Sequence, residues 1–337
     1  MKIKLFATTS LLAASFIACP VLSLSAQGGI NPQCTAGVTQ DACQKAIDVF
    51  QYLAPQLGAV IAGGNATLGV GGTLGGLGRI YISGRANLVR SDIPRVDQVT
   101  PSTTGAHADV YPTQNMFAGI PEADVAVGIF RGLPLGVTNV GGVDLLGSVS
   151  YLPSLDVSGV HLTTPNGSLK FGAGVRVGIV QESIIFPGVS VTYLRRGLPT
   201  VNLLSNNSAG DTLHVNNIDI TTDSYRLVAS KSLLLLGLAV GVGQDRYSSS
   251  ATGSAYVAPR GAGGIGTPAA SVGPIAMSQN ITRTTYFLDA TLNFPVIKII
   301  GEIGRSGAVN IPTYNSFAGS PAGSAQTFGA LGVRLGL

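Results

Sequence analysis

The stretch from Ser168 to Val180 constrains the fold of this chain more than any other. Its apolar side chains are Leu169, Phe171, Ala173, Val175, Val177 and Ile179, and the alternate positions carry Ser168, Lys170, Gly172, Gly174, Arg176 and Gly178. Unbroken alternation of this kind is the pattern of a β-strand with two unlike faces. The length also matches the roughly 9–11 residues with which a tilted strand crosses a bilayer. The stretch therefore predicts a membrane-spanning β-strand.

The composition indicates that much of the surface does not face water. Hydrophobic residues make up 45% of the 337 residues and charged residues only 11%, whereas a typical soluble domain has about 25% charged residues. Beyond the N-terminus the longest apolar run, Leu233 to Gly243, is shorter than the about 20 residues of a spanning helix. A closed β-barrel is the other structure that satisfies every backbone group in lipid. The formal net charge of +4 is too small to indicate a nucleic-acid partner.

Period-two alternation in nine further stretches brings the predicted number of strands to ten. The ten stretches are residues 77–88, 122–129, 143–151, 168–180, 188–195, 216–230, 233–245, 283–294, 296–305 and 326–337. Long connections (90–121, 153–167, 197–215, 248–282 and 306–325) alternate with short ones, as in barrels with short periplasmic turns and long outer loops. A hidden pair near Val157–Leu162 or in Thr67–Leu74 would make the number twelve. A secreted sandwich or lipocalin-like barrel is the soluble alternative, but it needs a charged wet face.

The last stretch resembles a known class of proteins. Leu331, Val333, Leu335 and Leu337 alternate with Ala330, Gly332, Arg334 and Gly336. In this the chain resembles the bacterial outer-membrane β-barrel proteins of Gram-negative cells, which close with an amphipathic C-terminal strand. Many of those proteins end in an aromatic residue, whereas Leu337 occupies that position here. The resemblance implies an all-β, transmembrane, antiparallel up-and-down barrel over residues 77–337. It also implies the cell outer membrane as location, with membrane lipids and the barrel-assembly machinery as partners.

The N-terminus has the features of a secretory signal peptide. Lys2 and Lys4 precede the apolar run Leu5–Ala18, and small residues near Ser25 and Ala26 offer a cleavage site, so we expect removal of residues 1–26. An anchoring helix and a lipid-modified Cys19 are the alternatives. Export would leave Cys34 and Cys43 as the remaining cysteines, which predicts a disulfide between them.

Residues 27–76 are expected to form a periplasmic segment before the barrel. A helix capped by Thr39 or Asp41 should end at Pro55, because the residue before a proline avoids the helical region. Its short apolar stripe predicts docking at the periplasmic mouth of the barrel. The glycine-rich stretch Leu57–Gly78 has neither the lysine nor the third glycine of the phosphate-binding loops. We therefore interpret it as a plug or a lead-in strand, and it is loosely similar to the plug of the long-chain fatty-acid channel family.

Strand parity directs most charged side chains of the predicted barrel into the lumen. They are Arg79, Arg85, Glu122, Asp124, Asp144, Lys170, Arg176, Arg226, Asp289, Lys298, Glu302 and Arg334. Facing lipid at the midplane, each would cost about 2–4 kcal/mol. Mixed charges in a narrow lumen predict a structural ion network more strongly than a solute path. Inward glycines on several strands leave room for water, a ligand or the N-terminal segment.

The sequence contains no motif that assigns a reaction. His107, His161 and His214 stand alone, and we expect no catalytic, cofactor-binding or metal-binding residues and no enzymatic activity. The favoured function is a narrow, porin-like passive channel or a transporter of small or hydrophobic solutes. The alternative is a structural or surface-interaction barrel that acts through its extracellular loops. A lipid-modifying enzyme that uses one of the histidines ranks last.

Overall fold

Ten antiparallel strands form a closed ring in the computed structural model, which describes residues 28–157, 160–261 and 266–336. The strands are β1 Ile80–Pro94, β2 Thr113–Phe130, β3 Val143–Tyr151, β4 Leu169–Val180, β5 Gly188–Gly197, β6 Thr212–Leu233, β7 Leu236–Val257, β8 Ala270–Asn293, β9 Ile297–Ser306 and β10 Gln326–Gly336. Each strand pairs with the next along the chain, and β1 pairs with β10 to close the ring. The predicted up-and-down barrel of ten strands is confirmed. The predicted signal peptide lies outside the described residues.

Alternation along the strands separates an apolar outer face from a polar inner face. On β8, Leu288 is 49% exposed on the outside, whereas its neighbour Asp289 is fully buried inside. The apolar outer face continues into the short turns, where Ile184 and Leu234 are almost fully exposed. No helix within the described ranges is long and apolar enough to cross a membrane.

Several strands extend beyond their predicted ends toward the long loops. Residues 248–282 were predicted to be one loop, but β7 continues to Val257 and β8 already begins at Ala270. The hydrophobic pattern misses these extensions because Ser, Thr and Gly occupy much of them on both faces. The strand ends therefore rise above the apolar band as a polar collar.

Shorter elements lie outside the ring. The strand Val201–Asn206 pairs with the long-loop end of β6. On its other side it pairs with Val160–Thr163, and that strand pairs in turn with Leu155–Val157. The extra pair considered near Val157–Leu162 is therefore not part of the ring, and the other candidate, Thr67–Leu74, is not a strand. The other small elements are the pairs Val110–Tyr111 with Ser316–Phe317 and Leu133–Leu135 with Thr138–Val140, and the 3-10 helix Val96–Gln98.

A single α-helix within the described residues, α1 (Gln40–Ala62), lies inside the ring. Twenty of its 23 residues are buried, because its apolar side chains pack against inward side chains such as Ile220 and Phe287. The N-terminal end lies among the long loops, where the amide of Gly28 donates to the Thr313 carbonyl at 3.0 Å. The helix therefore does not sit at the short-turn mouth, as the sequence suggested, because its nearly all-round burial requires surrounding protein.

The expectation that Pro55 ends the helix is wrong, since α1 continues through it to Ala62. Proline has no N–H to donate to the carbonyl of Gln51, four residues earlier. The side-chain amide of Gln279 on β8 donates to that carbonyl instead, at 3.3 Å. The barrel wall thus satisfies the group that the proline leaves unpaired. The predicted disulfide between Cys34 and Cys43 is present, with the two Cα atoms 5.5 Å apart.

A glycine-rich segment, residues 63–79, connects α1 to β1 and follows the inner wall. At Gly71 a Cβ atom would lie 2.5 Å from the backbone nitrogen of Ser230 and 2.7 Å from the carbonyl carbon of Ala229. Both atoms belong to the β6 backbone, which cannot move without breaking its ladder. The chain approaches the wall here as closely as only glycine permits.

We predict that Gly71→Ala detaches this part of the segment from β6. The forced displacement should lower the free energy of unfolding by about 1–3 kcal/mol, the range for overpacked interiors. Urea unfolding of the protein refolded in detergent micelles measures the loss. Gly84→Ala is the matched control, because nothing lies within 4 Å of a Cβ atom at this β1 position. Equal stability of the two variants would contradict the close contact.

Candidate functional site

The candidate site is the lumen, where the charged wall meets the N-terminal segment, residues 28–79. Of the twelve side chains that the sequence directed inward, nine are buried: Arg85, Glu122, Asp124, Asp144, Arg176, Arg226, Asp289, Glu302 and Arg334. Lys170 and Lys298 are half-buried nearer the ends of the barrel, and Arg79 is exposed just before β1. The buried nine contact one another or the segment, whereas the other three do not belong to this cluster.

Arginines of the wall donate to carbonyl oxygens at the end of α1 and in the segment after it. Arg196 donates to Ala62, and Arg226 donates to Gly63 and Gly64, at 2.8–3.1 Å. These guanidinium groups lie where the helix dipole is negative and its last carbonyls lack helical partners. Further along, Arg85 donates to Asn65 at 2.7 Å and Arg334 to Leu68 at 3.1 Å.

Carboxylates of the wall accept hydrogen bonds from the amides of the same segment. Glu302 accepts from the backbone N–H groups of Gly64 and Asn65 at 3.0 and 2.6 Å. Asp289 accepts from the backbone of Gly69 at 2.8 Å and from the Asn65 side chain at 2.6 Å. Asp144 accepts from the backbone of Leu74 at 3.1 and 3.2 Å. A segment without regular secondary structure thus has its buried backbone groups satisfied by side chains of the barrel.

The same wall residues form ion pairs with one another. Arg85 lies 2.8 Å from Glu122 and 3.1 Å from Asp124, and Arg196 lies 2.9 Å from Asp124. Separate pairs join Arg176 to Asp144 and Arg226 to Asp245, each at 2.6 Å. All of these side chains are 4% exposed or less. Each of these four arginines therefore has a compensating carboxylate as well as a contact with the segment.

Two members of the cluster, Arg196 and Asp245, were missed by the sequence analysis. Arg196 follows the inward series Ser190, Thr192 and Leu194 on β5, but the strand was predicted to end one residue earlier. Asp245 follows the inward glycines Gly241 and Gly243 on β7. Extending the inward–outward alternation to the end of each strand would have assigned both side chains to the lumen.

We predict that Glu122→Gln destabilises the barrel strongly. The carboxylate accepts from Arg85, Asn87 and Ser150, and its neutralisation leaves Arg85 and Arg196 to share Asp124. Loss of one partner of a buried ion pair costs about 3–5 kcal/mol, which urea unfolding in micelles measures. Asp97→Asn is the control, because the Arg95–Asp97 pair is partly exposed and such pairs contribute about 0–1 kcal/mol. Similar losses in both variants would mean that the buried network contributes no more than a surface pair.

At the long-loop end, polar residues of α1 bind the loops above the ring. Asp41 accepts from the backbone amides of Ser102 and His107 at 2.6 and 2.9 Å. Asp48 accepts from the backbone and side chain of Asn315 at 2.8 and 2.6 Å. Two connections, 95–112 and 307–325, are thereby held on the helix. We call this assembly the loop cap.

Neither the histidines nor any acidic cluster forms a metal site within the described residues. His107 and His161 are exposed and contact Asp109 and Asp156, respectively, and His214 lies on the collar portion of β6. Asp211 anchors a different long loop, since Arg260 donates to both of its oxygens at 2.6 and 2.7 Å. Burial acts to raise the pKa of Asp211, but hydrogen bonds from Arg260 and Asn207 outweigh burial and hold the pKa below its usual 3.8.

We predict that Arg260→Gln raises the pKa of Asp211. A carboxyl whose pKa is lowered by folding stabilises the folded loop above its unfolded pKa, and this contribution is lost as the pH falls through the folded pKa. In the variant the loss should therefore begin at a higher pH than in the wild type. Carbon-13 NMR titration of labelled aspartate carboxyls measures the shift. Arg246→Gln is the control, because Arg246 forms no ion pair within the described residues; an unchanged pKa in R260Q would contradict the role of Arg260.

Comparison with known proteins yields similarities of structure only. The chain is similar to the outer membrane protease OmpT of Escherichia coli, with 10% identity, coverage of 77% of this chain and 97% of that one, and a TM-score of 0.34. It is also similar to the toluene transporter TodX of Pseudomonas putida, with 9% identity, coverage of 81% and 97%, and a TM-score of 0.33. No family model and no curated protein matches the sequence.

The chain folds as a closed β-barrel of the kind that bacterial outer-membrane proteins form. Its own closed ring, apolar exterior and charged interior carry this assignment. The expectation that it is not an enzyme is corrected, because the similar structures include a protease. The low identity to that protein assigns neither an activity nor residues to this one.

Proposed function

We propose that this outer-membrane barrel is a gated passive channel for small solutes, closed in the described state by its own N-terminal segment. One observation carries the proposal: a separate stretch of chain, rather than bulky side chains of the wall, occupies the lumen. The wall is recessed where the segment lies. A Cβ atom at Gly332 would meet the Leu68 side chain at 2.6 Å, and one at Gly178 would meet Thr73 at 3.0 Å. A small barrel without a path is filled more simply by its own side chains.

The way in which the segment is attached supports movement as a unit. The disulfide found in the described residues joins Cys34 to Cys43, both within the segment, so it does not bind the segment to the wall. The contacts with the wall are hydrogen bonds, ion pairs and apolar packing. The covalent connection is the peptide chain that enters β1. Displacement of the segment would leave the short-turn half of the lumen lined by arginines and carboxylates, which suits small polar solutes.

The exterior supports the location in the outer membrane. Exposed apolar side chains follow every ring strand, and tyrosines such as Tyr193, Tyr225 and Tyr286 lie toward the long-loop end of this surface. Aromatic residues at the boundary of an apolar band are typical of membrane barrels. By the same rule the short turns face the periplasm and the long loops face the outside.

A cross-link between α1 and β7 tests the gating. A Cβ atom at Gly253 would lie 3.7 Å from that of Ala46, within the spacing of a disulfide. We predict that Ala46→Cys with Gly253→Cys, in a background of Cys34→Ser and Cys43→Ser, abolishes conductance in planar bilayers when oxidised. Reduction should restore the openings seen in the uncross-linked background, because only the engineered bond holds the helix.

The background with Ala46→Cys alone is the matched control, and oxidation should not change its conductance. Openings that persist in the cross-linked form would exclude movement of α1 as the gate. A chain without residues 28–76 should conduct continuously and admit sugars in liposome swelling. Absence of any conductance in this refolded variant would contradict the channel.

The second candidate function is a surface-interaction barrel, and the loop cap favours it. Asp41 and Asp48 hold two loops in fixed positions on α1, and Tyr52 stacks on Phe317 with ring centroids 3.8 Å apart. Such a cap presents a defined surface to the outside. This alternative predicts that neither the full chain nor its segment-deleted form conducts.

A further inference from the structure

An apolar groove of about 630 Å³ lies on the outer face of the barrel across β6 to β10. Its walls include Leu227, Val240, Leu288 and Ile303, which all point away from the lumen. The groove is therefore open to the membrane, and its surface suits hydrocarbon. A flat lipid-facing surface would offer no such recess to an acyl chain.

The end of the groove toward the long loops carries polar groups. Arg305 pairs in register with Tyr286 on β8 and with Thr327 on β10, and all three side chains line or border the groove from outside. Arg305 is the ninth of ten residues in β9, so it lies near the boundary of the apolar band. That boundary is where the headgroups of the outer leaflet begin.

The charge of Arg305 has no partner among the described residues, and no hydrogen bond or ion pair of its guanidinium is found there. Arg195, an outward arginine on β5, differs in lying 3.5 Å from Asp223. An exposed, uncompensated guanidinium above an apolar groove is complementary to an anion that carries an acyl chain.

A polar cavity of about 510 Å³ adjoins the groove at Thr327, which lines both. Its other walls include Arg90, Asn115 and Ser320. Arg90 and Asp92 contribute one charge of each sign to this cavity, and its remaining polar groups are hydrogen-bond donors and acceptors suited to hydroxyls. The order of surfaces from the membrane outward is thus apolar, cationic and then polar.

We propose that this surface is a binding site for an outer-leaflet lipid with an anionic, hydroxyl-rich headgroup. The acyl chain lies in the groove between Leu227 and Ile303, the phosphate contacts Arg305, and the headgroup extends into the polar cavity beside Thr327. The site belongs to the outside of the barrel and does not depend on whether the lumen opens.

Fluorescence quenching by brominated lipids tests the proposal, because the chain contains no tryptophan. Ala290→Trp places a reporter on the outer face of β8 just below the groove. In vesicles of phosphatidylcholine, brominated phosphatidylglycerol should associate about fivefold more strongly near this reporter than brominated phosphatidylcholine with the same chains, the effect of about one arginine near a membrane surface. Adding Arg305→Gln should remove the preference, and Arg305→Lys should retain it.

Two controls separate the site from general attraction of anionic lipid. Leu145→Trp on β3, across the ring, should report no preference between the two lipids. Arg195→Gln, combined with Ala290→Trp, should leave the preference at the β8 reporter unchanged. Equal quenching of the β8 reporter by the two lipids, or a preference that survives Arg305→Gln, would overturn the proposal. Because Arg305 is exposed and unpaired, its replacement should not prevent folding, which heat-modified migration on gels verifies.

Discussion

The structure depends on the pairing of buried wall charges with the backbone of the N-terminal segment. A closed ring of ten strands satisfies its own backbone, but the glycine-rich stretch inside it has no ladder and is largely buried. Arg85, Arg226, Asp289 and Glu302 provide the missing donors and acceptors at distances of 2.6–3.1 Å. Removing the segment would leave these charges without those partners, and removing the charges would leave the segment unsatisfied. Each therefore stabilises the other.

The two halves of the lumen are filled through different interactions. Toward the long loops, the wall presents apolar side chains such as Val257 and Met277, and a regular helix with internally satisfied hydrogen bonds fills the space. Toward the short turns, the wall presents ions, and an irregular segment fills the space. The change occurs at Ala62 and Gly63, where arginines meet the end of α1. Secondary structure and wall chemistry thus change at the same level.

The sequence predicted the ring well because side chains alternate between lipid and lumen along a membrane strand, and lipid excludes charged residues from the outer positions. The prediction failed where the strands extend beyond the lipid. The polar stretch 248–282 is largely strand, but serine and threonine on both faces leave no alternation to read. Inward charges such as Arg176 followed from parity, whereas their acceptors in the segment did not. A contact between a regular wall and an irregular segment leaves no periodic signal, and the path of α1 through the lumen likewise has no local pattern.

The route of the segment has a consequence for the order of assembly. Gly28 lies beside Thr313 among the long loops, and β1 begins at the opposite end, so the intervening chain traverses the whole height of the cylinder. Pairing of β1 with β10 around an empty interior would therefore not complete the fold. Residues 28–79 must lie within the curved sheet before β1 pairs with β10, or they must enter the lumen after the ring has closed.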